Sequence, residues 1–190
     1  MSSSKVIHLD IPALQQEQNY TCVPSCCKMM LEYIGKTKLN APIPNLEESR
    51  IAEIMQTNLT GTQFHNVGNI NSAINSLSPS VELIAEYDAR TLDDIRRQLQ
   101  AGLPVAVWIR TADASPDYAH SVVITGIDDI QKLIYYNDPT YGVEKTLSQT
   151  MFLEIWDYWG SVMIKAEIGR RTSESMERYF PKGNVSNEQS

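Results

Sequence analysis

The sequence predicts an α+β fold in which a mostly helical N-terminal half packs on a mostly antiparallel C-terminal sheet. Three observations carry that reading. Between Pro24 and Ile34, Met29, Met30, Leu31, Tyr33 and Ile34 recur at near-helical spacing. Short β-branched runs bounded by turn residues crowd the second half, at 104–110, 121–127 and 131–137. Composition is that of an ordinary folded protein, 42% apolar and 21% charged over 190 residues, enough chain to bury one core.

In chain order, a strand at 6–9 precedes the turn-prone Asp10-Ile-Pro12, and the polar, aperiodic stretch 15–22 reads as a loop. A helix over 24–34 follows directly, with Pro24 suited to its first turn and Gly35 to its end. The two prolines of 36–45 mark a connection, and helices follow over 46–55 and 67–77. A strand at 81–87, a helix at 91–100 stopped by Gly102, and a buried strand at 104–110 come next. Strands 121–127 and 131–137 flank Asp128-Asp129-Ile130, a helix covers 149–159 and a last strand 161–168. Residues 1–168 are read as one domain, and 169–190 as a polar tail expected to be mobile.

Composition also excludes. A net charge of −7, with Lys and Arg scattered, argues against a nucleic-acid partner, because phosphate binding needs clustered cations. The longest apolar runs fall far short of the roughly 20 residues that span a bilayer, so no integral membrane segment is expected. The start of the chain lacks the apolar core of an export signal. Three cysteines, an odd number crowded at 22, 26 and 27, suit free thiols in a reducing cytoplasm rather than a disulfide framework. No glycine-rich phosphate loop or nucleotide fingerprint is present, and no cofactor is expected.

The chemistry begins with Cys22. A cysteine attacks as its thiolate, which a helix N-terminus favours, and Cys22 stands just ahead of Pro24 where unpaired N–H groups gather. Cys26 and Cys27 lie inside the helix and lack that field. Of three histidines, His8 and His65 read as surface or structural, whereas His120 opens the run Ser-Val-Val-Ile-Thr-Gly and so stands at the rim of a sheet. An imidazole that works as a base needs a partner on its second nitrogen. If strands 121–127 and 131–137 form a hairpin about Asp129, residues whose numbers sum to 258 are opposed, which sets Asp138 against His120. Val122, Ile124, Ile134 and Tyr136 would then share their face, and Asn137 would point the other way. Gln15, Gln16 and Gln18 are all available as amide donors to an oxyanion, and physics alone does not choose among them.

The strings Gln16-x5-Cys22, His120-Ser-Val-Val-Ile-Thr-Gly126 and Tyr136-Asn-Asp-Pro139 resemble the C39-type, papain-like cysteine peptidases, over about residues 11–168. The segments from Asp138 to Val143 and from Phe152 to Trp156 are similar to the region after the aspartate in stand-alone members. The resemblance implies a papain-like fold, Cys22 as nucleophile, His120 as general base, Asp138 as its orienting group, and Gln16 as the oxyanion donor. It implies a peptide or protein substrate. One departure stands out: the family usually continues Cys-Gly-Pro where this chain has Val23, which adds bulk beside the nucleophile but keeps the Cys22 N–H.

Three alternatives stand beside this reading. An acyl transferase of the phytochelatin-synthase kind would share the acyl-enzyme and differ in acceptor. A catalytically silent peptide-binding module would retain the fold alone. A structural zinc site begun by Cys22-x3-Cys26 lacks its remaining ligands. The aromatic residues Tyr118, Trp156, Tyr158 and Trp159 are either groove lining or, for most of them, core.

Overall fold

In the computed structural model, the described residues are 6–43, 46–74, 76–77, 79–87, 90–111 and 118–169. The expected tail at 170–190 lies outside them. Seven strands form one sheet, all of whose pairs are antiparallel: β1 (Val6–His8), β2 (Ser80–Glu86), β3 (Val105–Ile109), β4 (His120–Asp128), β5 (Leu133–Asp138), β6 (Val143–Ser148) and β7 (Met163–Gly169). Their order is β2-β7-β3-β4-β5-β6, with β1 pairing the far end of β4. The helices are α1 (Cys22–Ile34), α2 (Glu48–Ile54), α3 (Ile70–Ala73), α4 (Leu92–Gln100) and α5 (Gln149–Asp157).

Every residue of β4 is buried, at odd and even positions alike, so the sheet is covered on both faces there. α1 lies on the face that carries Ser121 and Asn137: the Asn137 amide donates to Ile11 O at 2.8 Å and sits 3.9 Å from the Met29 sulfur. α4 packs on β1, β3 and β4, and α5 on β3, β5 and β6. Each is started by a recognisable device. The backbone N–H of Thr91 donates to Asp94 at 2.7 Å ahead of α4, and Ser148 accepts from the Met151 N–H at 3.3 Å ahead of α5. The core joins both halves, with Met29, Met30, Leu31 and Ile34 of α1 packed in one cluster with Val122, Val123, Ile124 and Ile134. Sealing it from water is the main stabilising contribution, at about 1.5–3 kcal/mol per large apolar side chain.

Three local expectations need correction. Gly35 does not end the helical run: its backbone is right-handed (φ −53°), a five-residue π-helical turn continues over Gly35–Leu39, and Asn40 at φ 51° stops it. Glycine is required there for a different reason, because a Cβ would come within 2.8 Å of Ala41 O. The segment 67–77 opens at the end of a 3-10 turn, Phe64–Asn69, and continues as helix only through the four-residue α3. β6 was not anticipated. It is an edge strand in which Val143 and Leu147 are spread among polar residues and no residue is fully buried, so it carries no clear apolar signature to read.

The β4–β5 hairpin is also two residues out of the expected register. Near its tip Asp128 faces Leu133 across the four residues 129–132, and the Asp128 carboxylate accepts the N–H groups of Ile130 and Gln131, both at 2.8 Å. A bulge between Ile124 and Gly126 then absorbs one residue, leaving Ile124 against Tyr136 and Val123 against Asn137. These pairs sum to 260, not 258. Continued, that register would set Val122 rather than His120 directly against Asp138. Ile124 and Tyr136 share a face as expected, while Ile134 reaches it opposite Ile127.

Candidate active site

Cys22 is the first residue of α1, a helix of 13 residues, and it is buried. Thr21 occupies the capping position, but its side chain makes no bond to the helix's own N–H groups. The positive end of the helix is therefore left to act on what lies beside it, which includes the Cys22 sulfur. The two neighbouring thiols are in a different situation. Burial pushes the Cys26 thiol well above its usual range and the Cys27 thiol up to about 12, with the charge at Cys22 adding to both.

His120 opens β4, locked against Ile109 of β3, and Asp138 closes β5. The diagonal between them is spanned by side chains: His120 Nε2 lies 2.9 Å from Asp138 Oδ1. The Cys22 thiol lies close enough to the ring to raise its pKa. With Nε2 engaged by the carboxylate, Nδ1 is the nitrogen left for the sulfur. Burial alone would lower the imidazole pKa, but the bond to Asp138, the nearby Cys22 thiol and the charges the two carry outweigh it and raise it to about 9. A protonated imidazole beside the Asp138 carboxylate is the form these contacts favour.

Asp138 is held from several sides. Thr140 N–H donates to Oδ1 at 3.0 Å and Lys145 Nζ to Oδ2 at 2.8 Å. Burial works against its charge, yet the bonds from His120 and Lys145 with the His120 charge hold the carboxyl well below the usual carboxylate range. Lys145 was not singled out in the sequence. It comes from β6, the strand with no apolar signal, and faces Tyr136 in the ladder. Its ammonium also lies 3.5 Å from the Tyr141 ring centroid.

Gln16 reaches the site through its backbone. Its N–H donates to Pro139 O at 2.8 Å, and the Gln15 amide donates to Thr140 O at 3.3 Å, so the loop ahead of Cys22 is docked on the turn after Asp138. That turn closes through Gly142, whose N–H donates to Asp138 O at 2.9 Å and whose φ is +64°. The Gln16 side-chain nitrogen donates to Gln18 O at 2.6 Å, which leaves the second hydrogen of the NH2 group, and Oε1 is buried without a partner.

The remaining predicted residues fall elsewhere. His65 is exposed, and His8 pairs with Glu144 at 2.9 Å on the sheet surface. Val23 is packed in the apolar cluster. Trp156 is core, its indole N–H donating to Val162 O at 2.8 Å, and Tyr158 is exposed beneath Arg110. Tyr118 alone of the aromatic group is tied to the site: burial and the nearby charge of Cys22 both raise its phenol pKa. Its hydroxyl lies 3.6 Å from where a Cβ on Gly61 would be.

A cysteine at a helix start, beside a histidine and an aspartate carried by an antiparallel sheet, is the arrangement of a papain-like α+β fold. The chain belongs to the Peptidase_C39 like family, whose model matches residues 8–164. Its fold is similar to that of a protein from Bacillus anthracis described as a C39-like peptidase, with a TM-score of 0.65 at 17% identity, covering 89% of this chain and 100% of that one. It is also similar to the peptidase domain of Streptococcus ComA, a bi-functional ABC transporter involved in a quorum-sensing pathway. There the TM-score is 0.57 at 16% identity, covering 85% of this chain and 99% of that one. At such identities the likeness shows the fold alone. No curated protein matches. Membership of the family supports a peptidase function. Among the described residues, no helix is long and apolar enough to cross a membrane.

Proposed function

We propose that the chain is a cysteine peptidase that cleaves a peptide or related amide through a thioester acyl-enzyme. One observation carries the proposal: a single buried imidazole that hydrogen-bonds a carboxylate stands beside a cysteine at a helix N-terminus. In this reading the Cys22 thiolate adds to the scissile carbonyl carbon, and the carbonyl electron pair moves to oxygen. The Cys22 N–H and the free hydrogen of the Gln16 amide receive that oxyanion. Its collapse breaks the C–N bond, and the leaving amine takes the proton held by His120. The neutral imidazole then removes a proton from water, which attacks the thioester, and Cys22 leaves as thiolate while His120 carries the proton again. Asp138 keeps the ring in plane and stabilises the imidazolium at each stage.

Cys22→Ser and wild type compared on a mixed library of fluorescence-quenched peptides test the proposal, together with labelling by iodoacetamide at pH 7. Hydrolysis by wild type alone, with Cys22 alkylated at least about tenfold faster than Cys26 or Cys27, is the expected result. Equal hydrolysis by both proteins, or three equally sluggish thiols, would overturn it. Adding a free amine to the same assay separates hydrolysis from acyl transfer by the product formed.

A further inference from the structure

Glu48 is a carboxylate that the chemistry above does not use, yet it is 2% exposed at the first residue of α2. Among the described residues no lysine or arginine pairs with it. A buried charge of that kind is costly unless its lone pairs are filled. What fills them is the loop ahead of Cys22. Glu48 Oε1 accepts the Glu17 backbone N–H at 2.8 Å and a short hydrogen bond from the Thr21 hydroxyl. Thr21 in turn closes the turn back to Gln18, its Oγ1 accepting the Gln18 N–H at 3.1 Å and its own N–H donating to Gln18 O at 3.1 Å. Gln18 O is also the acceptor of the Gln16 side chain at 2.6 Å.

From these contacts we infer that Glu48 is a positioning residue for the oxyanion site, acting through Thr21 and Gln18 on the Gln16 amide and on the Cys22 N–H. The two proposed donors lie on either side of residues 17–21, an irregular segment without a helix or strand ladder of its own to hold it. Pro139 and Thr140 anchor its first end; Glu48 anchors its middle and its last residue before the helix. A carboxylate suits the task because one oxygen takes two donors in charge-assisted bonds, which neutral acceptors match less strongly. Oxyanion donors work when they are held in place before charge develops, so loosening this anchor should cost rate rather than affinity.

The inference rests on the peptidase reading, and its test separates the two. Glu48→Ala should lower kcat on the quenched-peptide library about 10- to 100-fold with KM nearly unchanged. Its rate of Cys22 alkylation by iodoacetamide, which builds no oxyanion, should stay within about twofold. Glu48→Gln keeps a carbonyl oxygen for the same two donors and should recover most of the loss. The double variant Gln16→Ala/Glu48→Ala should be slowed by less than the product of the two single losses, because Glu48 acts in part through the donor that Gln16→Ala removes. Capture of short peptide aldehydes, whose adduct on Cys22 carries the oxyanion without turnover, should weaken in parallel with kcat. If Glu48→Ala does not fold, Thr21→Val cuts the same link from the other side and should show the same split. Wild-type turnover with an unaltered kcat in these variants, or losses that add in the double variant, would overturn this inference alone. A wild-type chain that neither hydrolyses peptides nor captures aldehydes would overturn the peptidase reading and this inference with it.

Discussion

The backbone N–H of Gln16 donates to the carbonyl of Pro139 at 2.8 Å, so the loop that leads into Cys22 is fastened to the residue after Asp138. Two segments more than a hundred residues apart in sequence are thereby held as one piece. The helix brings Cys22, the sheet brings His120 and Asp138, and this bond ties the helix entrance to the sheet rim.

The fastening depends on Gly142. At φ +64° an L side chain is strained, and a Cβ there would come within 2.9 Å of Gln15 Cβ and 3.0 Å of Gln15 N. Gly142→Ala should destabilise the fold by about 1–3 kcal/mol. It should also displace the 15–16 backbone and lower kcat. Thermal unfolding and peptide turnover, measured on the same preparation well below its Tm, check both; retention of both would show that the turn has room to spare.

Asp138→Asn removes the charge that helps raise the His120 pKa to about 9. In the proposed mechanism the imidazolium protonates the leaving amine, so the alkaline limb of kcat/KM would report its loss. That limb should lie near pH 9 in wild type and move to lower pH by about one unit or more in the variant. The same linkage bears on stability. Because the folded pKa of His120 lies above its ordinary 6.5, the stabilisation it contributes is complete below about pH 6.5 and is lost as pH rises through about 9. Peptide turnover from pH 5 to 10 and urea unfolding at pH 6 and 9.5 measure the two effects.

Lys145→Met tests the other side of the carboxylate. The folded pKa of Asp138 is depressed, so the stability it contributes is present above its ordinary value of 3.8 and is lost as pH falls through the folded value. Without the ammonium at 2.8 Å the depression is smaller and the loss begins sooner. Acid unfolding followed by tryptophan fluorescence should therefore show a midpoint at higher pH in the variant. An unchanged midpoint would mean that His120 and the Thr140 N–H hold Asp138 without help.

Trp156→Phe separates core packing from a role in a substrate groove. The variant removes the indole bond to Val162 O, which keeps the Trp108 N–H at 3.3 Å, and leaves a void in the core, and it should cost about 1–3 kcal/mol of stability. Peptide specificity and KM should be unchanged. Altered selectivity across the peptide library, with stability intact, would place the ring in the groove instead.

Much of this molecule was legible from its residues in order. Local periodicity located α1, α4, α5 and the core strands β3 and β4 to within about two residues, because each buries an apolar face whose spacing betrays it. The Cys22, His120 and Asp138 trio was assembled from a helix start, a strand start and a hairpin, and these residues do lie together in the structure. The register that suggested the pairing was nevertheless off by two. A bulge near Thr125 and a four-residue tip moved the strands, and the long reach of His120 along the diagonal restored the contact. What the chain alone determined was therefore the set of elements and the chemical types at their ends. What only the tertiary structure decided was which polar groups meet across them: Lys145 on Asp138, Gln16 N–H on Pro139, and Glu48 beneath the loop that precedes Cys22. Burial patterns are written locally, because apolar side chains need only face a common interior. Hydrogen bonds between distant loops and edge strands have no period, and they come into being only when folding brings their donors within about 3 Å.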